Sequence, residues 1–92
     1  MKFISTWSVR PGASKEAVSR FLAGQAAMPP GVKLLGRWHK TDSSGGYSLV
    51  ESDNPIALFE GSAAWMDVLE IHSSLVIEDA EVGPVLAKLH GK

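Results

Sequence analysis

The sequence predicts an α+β domain of the ferredoxin-like βαββαβ kind, with one four-stranded antiparallel sheet covered on one face by two helices. Three observations carry this expectation. Four short segments are rich in β-branched and aromatic residues, two segments between them repeat their apolar residues at helical spacing, and the middle two strands are joined by a polar, glycine-bearing stretch.

The first strand is Lys2 to Val9, stopped by the turn signal Arg10-Pro11-Gly12. Ser14 is placed to cap a helix in which Val18, Phe21, Leu22 and Gln25 or Ala26 form one stripe, and Pro29-Pro30-Gly31 ends it. Val32 to Lys40 and Tyr47 to Glu51 read as a hairpin around Thr41-Asp42-Ser43-Ser44-Gly45-Gly46. Asp53 or Asn54 then caps a second helix with Pro55 at its first position and Ile56, Phe59, Ala63 and Met66 on its buried side. Leu69 to Ile77 is the fourth strand. In the tail, Glu78 to His90, Val82, Val85, Leu86 and Leu89 keep helical spacing, and Gly83-Pro84 is expected to split it into two short pieces.

Ninety-two residues, 45% apolar and 21% charged, make a single domain over residues 1–92 that should fold around one core. So small a domain gains from burying more surface in an oligomer, which favours self-association. Nine basic against ten acidic residues and no basic run disfavour nucleic acid as a partner. No cysteine means no disulfide or thiolate chemistry, which fits a reducing compartment. With no apolar stretch of signal-peptide or membrane-span length, the chain reads as cytoplasmic, with no membrane partner.

Strict alternation divides the strands into two sets. Phe3, Trp7, Val9, Leu34, Trp38, Val50, Ile71, Leu75 and Ile77 suit the helix side. Ile4, Thr6, Leu35, Arg37, His39, Tyr47, Leu49, Glu51, Glu70, His72, Ser74 and Val76 are left for the open face, a mixture that resembles a pocket wall. A one-residue slip in any strand would exchange its two sets.

Arg37 and Glu51 fall on neighbouring strands, which suits either an anion-holding arginine oriented by a carboxylate or a structural ion pair across the sheet. His39 and His72 are the histidines inside strands, each a candidate general acid or base and equally a structural histidine. With Glu51 they have no ligand spacing that supports a metal site, so none is expected. Trp7 and Trp38 read as core, Trp38 also as a candidate ligand contact, and Trp65 as core, cavity rim or partner contact. Tyr47 suits either a hydrogen bond to a bound oxygen or an ordinary exposed position. Gly45-Gly46 lacks a phosphate-loop pattern and Ser73-Ser74 lacks a nucleophile elbow, and no cofactor motif appears.

The strand ending in Trp7, the Pro11-Gly12 turn, the run Lys33-Leu34-Leu35-Gly36-Arg37-Trp38-His39, and Val50-Glu51-Ser52-Asp53 together resemble a family of small bacterial proteins of unknown function grouped with the dimeric α/β-barrel superfamily. The resemblance covers nearly the whole chain, with Gly36-Arg37-Trp38-His39 its most specific block. It implies a homodimer with a cavity but no single chemistry, because the superfamily holds cofactor-independent monooxygenases, haem-degrading enzymes, lactone isomerases and ligand-binding domains. The leading expectation is a homodimer that binds a small anionic or carbonyl-bearing molecule on the open sheet face against Arg37, His39 and Tyr47. The alternatives are a cofactor-independent monooxygenase or isomerase using His39 or His72, and a structural or partner-binding module without a ligand.

Overall fold

The computed structural model describes residues 1–91. Its elements are β1 (Lys2–Val9), α1 (Ser14–Leu22), β2 (Lys33–His39), β3 (Gly45–Glu51), α2 (Pro55–Ala63), β4 (Leu69–Val76) and α3 (Asp79–His90). The four strands form one antiparallel sheet in the order β2-β3-β1-β4, which is the ferredoxin-like arrangement. Both crossovers, β1-α1-β2 and β3-α2-β4, skip one strand, and α1 and α2 cover the same face of the sheet.

Local chemistry sets the ends of the helices. Ser14 opens α1 rather than capping it, because Ala13 holds the cap position. The same helix stops at Leu22, short of the expected Gln25, where Gly24 takes a left-handed φ of +80°. The Gly24 N–H then donates to Phe21 O at 3.0 Å and the Gln25 N–H to Arg20 O at 3.1 Å, a glycine-dependent closure of the last turn. Asn54 caps α2 as expected, its Oδ1 accepting from the Ile56 and Ala57 N–H groups at 3.1 and 3.2 Å, with Pro55 at the first position.

The tail is not split: α3 runs unbroken through Gly83-Pro84. Pro84 has no N–H to give the Ala80 carbonyl, so α3 continues past it one backbone hydrogen bond short. No residue of α3 is buried. Its Val85, Leu86 and Leu89 are bare, and the Lys2 ammonium pairs with Glu78 at its base.

Two departures from the expected hairpin decide the rest of the molecule. First, β3 begins at Gly45, so Gly45 and Gly46 belong to the strand and not to the turn. Trp7 lies opposite Gly46, and a Cβ on Gly46 would overlap its indole. Second, Leu34 opposes Val50 while Gly36 opposes Leu49, so Leu35 is an extra, bulged residue. Everything in β2 beyond the bulge faces opposite to the expected side. Arg37, paired with Ser48, and His39, paired with Gly46, turn toward the helices, and Trp38, paired with Tyr47, turns to the open face.

The core is small. Ala17, Val68 and Leu69 form its buried centre, with Trp7, Val9, Trp65 and Ile71 packed around them in partial burial. The Ser52 hydroxyl donates to Gly31 O at 2.6 Å and ties the end of β3 to the segment entering β2.

Candidate functional site

Between the sheet and the two helices lies a cavity of about 540 Å³, on the side of the sheet opposite to the expected one, and a second hollow of about 440 Å³ lies where Lys2 and Glu51 meet the base of α3. To the larger cavity, helix α1 contributes Ala17 and Phe21, and α2 with the turn after it contributes Ala57, Gly61 and Trp65. The floor is the helix-facing set of strand residues, laid out in rows by the strand register. One row runs Leu34, Val50, Phe3, Leu75 across the sheet, and another runs His39, Gly46, Trp7, Ile71. Between them runs Arg37, Ser48, Ser5, Ser73, one residue from each strand.

Arg37 is half-buried, donates from Nη2 to the Ala26 carbonyl at 2.7 Å, and lies 6.0 Å from the centre of the Phe21 ring. No carboxylate pairs with it among the described residues. A guanidinium has five N–H donors, so this one keeps most of its capacity for something else. His39 meets the rings of Trp7 and Phe21 edge-on, both at 5.2 Å between centres. Lys40 is at the border of the cavity, and its ammonium lies 5.8 Å from the Tyr47 ring. The cavity wall therefore holds the Arg37 guanidinium and the His39 imidazole, while the Lys40 ammonium turns to Tyr47 on the other face, and neither Asp nor Glu is among the wall residues.

The bulge separates residues that strict alternation had put together. Arg37 and His39 are in the cavity, whereas Trp38, Tyr47, Glu51 and His72 are on the opposite face. The expected neighbourhood of Arg37 and Glu51 does not form, because Glu51 stands opposite Lys2 and Lys33 in the register and Arg37 stands opposite Ser48. His72, with its side chain 74% exposed, has Nε2 3.6 Å from Glu70 and cannot join His39 through the sheet. Trp38 is 57% exposed, and its ring lies over Gly36, where a Cβ would strike it.

The family profile that matches this sequence, a domain of unknown function, spans residues 1–90. The chain belongs to the DUF3303 family. No curated protein matches it. What a DUF3303 domain can do must accordingly be read from its cavity. Among the described residues no helix is long and apolar enough to cross a membrane.

Sequence reading left Ser5, Ser48 and Ser73 of this DUF3303 domain without a role. Ser48 is 8% exposed, and what remains exposed of it faces the cavity, so its hydroxyl is not a sealed, unpartnered group. Ser5 Oγ and Ser73 Oγ are 2.7 Å apart. The signal was present in the sequence: Phe3-Ser5-Trp7-Val9 and Ile71-Ser73-Leu75 each place one hydroxyl in the middle of an apolar strand face.

Proposed function

We propose that this DUF3303 domain is a cytoplasmic homodimer that binds a small organic anion in the cavity between helices and sheet. The observation that carries the reading is the charge of the walls. In a chain of net charge −1, the cavity wall holds a guanidinium and an imidazole but no Asp or Glu, and the half-buried Arg37 lacks a carboxylate partner among the described residues. Removing a guanidinium from water without a counter-charge is costly, and an incoming carboxylate or enolate offsets that cost through paired, charge-assisted hydrogen bonds. Aromatic walls from Trp7, Phe21 and Trp65 supply apolar contact for the body of the ligand.

The homodimer is supported by surface that one chain leaves uncovered. Its accessible area is 6614 Å², against about 5200 Å² for a compact monomer of this mass. Its radius of gyration is 15.9 Å, against about 12 Å for a compact chain of this length. The difference in area is of the order that one subunit contributes to a standard interface, roughly 800 Å² or more. The open face offers Ile4, Trp38 and Tyr47 in adjacent rows, all exposed, and a second copy is the occupant that fits them. Trp38, Tyr47, Glu51 and His72 then belong to the contact between copies, and Arg37 and His39 to the ligand.

Titration calorimetry with a panel of small aromatic and aliphatic carboxylates tests the binding site. Arg37→Met should weaken the best binder by about tenfold or more, the loss expected for a charged hydrogen-bond partner, and His39→Gln by less. Affinities that stay the same in both variants for every anion that binds would refute the assignment.

A further inference from the structure

The polar row across the cavity floor gives the ligand a shape. Arg37 on β2, Ser48 on β3, Ser5 on β1 and Ser73 on β4 follow one another across the sheet in register. The rows on either side are apolar or aromatic apart from His39 and Gly46, so the hydroxyls form a single stripe on an otherwise greasy floor. Hydroxyls fill less volume than Val or Ile on a helix-facing sheet surface, and of these three Ser48 is buried, Ser5 half-buried and Ser73 exposed at the edge. Ser5 and Ser73 satisfy each other in part, at 2.7 Å, and each keeps acceptor capacity on its oxygen. Ser48 lies next in line to the guanidinium and lines the cavity, where its hydroxyl oxygen is not sealed from the open space.

Resting on the anion-binding reading of this cavity, we propose that the ligand is a carboxylic acid carrying a second oxygen, a hydroxyl or keto group, at its far end, laid across the strands. The carboxylate sits on Arg37. The far oxygen lies over Ser48 and the Ser5–Ser73 pair. Adjacent strands are about 4.8 Å apart, so Arg37 and Ser5 are separated by roughly 10 Å between backbones, and the reach of the guanidinium leaves on the order of 6 Å between the two ends of the ligand. A serine hydroxyl both donates and accepts, which admits either a hydroxyl or a keto oxygen there. The indole of Trp7 and the ring of Phe21 flank the stripe and favour a flat body between the two polar ends.

Matched pairs of acids that differ only in the far oxygen test this: benzoate against para-hydroxybenzoate, and hexanoate against omega-hydroxyhexanoate, each titrated calorimetrically into the wild-type protein. The hydroxylated member of at least one pair should bind more tightly by several-fold, up to about tenfold. That ratio should fall toward one in Ser48→Ala and in Ser73→Ala. Ser73 is exposed on an edge strand, so its variant tests the stripe even if Ser48→Ala disturbs the fold. Equal binding within both pairs, or a preference that survives both serine variants, overturns the stripe while leaving the anion site standing. An Arg37→Met protein that binds all four acids as the wild type does overturns the anion site itself. Absence of saturable binding by all four acids at millimolar concentration overturns the stripe, and the broader carboxylate panel then decides the fate of the anion site.

Discussion

Arg20 shows how much of this chain's electrostatics is structural, and by contrast why Arg37 stands out. Arg20 Nη1 and Nη2 bind both oxygens of Asp67 at 3.0 and 2.6 Å, and Nε binds Glu16 at 2.8 Å, so α1 is tied to the segment leading into β4. This fork holds the Asp67 carboxyl below the usual carboxylate range, chiefly through the guanidinium hydrogen bonds. Glu78 beside Lys2, and Asp42 beneath the Ser44 hydroxyl and N–H, are lowered for the same kind of reason. A carboxyl whose value falls on folding adds stability that is fully present above its unfolded value and disappears as pH drops through the folded one. Thermal midpoints should thus decline on acidification below about pH 4, and Asp67→Asn should flatten that decline. Melting curves recorded across that range check this, and parallel curves for the two proteins would contradict it. The i,i+4 spacing of Glu16 and Arg20 was in the sequence, but the contact with Asp67, 47 residues away, and the lack of any such carboxylate at Arg37 among the described residues were not. What separates them is which carboxylates the fold brings within reach.

The elements themselves were largely legible: their order, the antiparallel sheet and the Asn54-Pro55 helix start all follow from residue type and spacing. The face of Arg37 was not, because alternation carries no record of an inserted residue. Leu34 and Leu35 are both apolar, so either suits the helix side, and only the pairing with Val50 and Leu49 shows that Leu35 is the extra one. Gly45-Gly46 misled for a related reason. These glycines read as a turn, yet the strand needs Gly46 so that the Trp7 indole can lie over β3, and Gly45 because a Cβ there would strike the Trp7 carbonyl. The bulge makes a sharp prediction. Deleting Leu35 should leave the pairs Leu34–Val50 and Gly36–Leu49 adjacent and intact, so Arg37 stays opposite Ser48 and keeps its place in the cavity. Cross-strand nuclear Overhauser contacts between Trp38 and Tyr47 should therefore persist in the deletion protein. Their replacement by Arg37–Tyr47 contacts would show that β2 had slipped onto the other face.

For the molecule as a whole, the question is how so little buried core sustains a fold. Among the described residues five apolar ones, Ala17, Val50, Ala57, Val68 and Leu69, are buried, and none of the large side chains is fully enclosed. A chain of 92 residues with an open cavity on one side of its sheet and bare aromatics on the other is marginal alone. The proposed pairing through the open face would supply the missing burial and make stability depend on concentration. Light scattering behind size exclusion should give about twice 9.8 kDa, and Trp38→Glu, which puts a charge at the centre of that face, should shift the mass toward one chain. A wild-type mass of one chain at micromolar concentration would refute the pairing.

The sheet is one backbone thick, with the cavity on one side and the proposed contact between copies on the other. Consecutive residues of each strand thus answer to different demands: Arg37 and His39 to whatever enters, Trp38 between them to a twin molecule. Neighbouring codons can then drift under separate selection. A lineage could retune its ligand by changing every second residue of a strand while leaving its assembly untouched, and the bulge at Leu35 is the point in β2 where that two-beat rhythm skips.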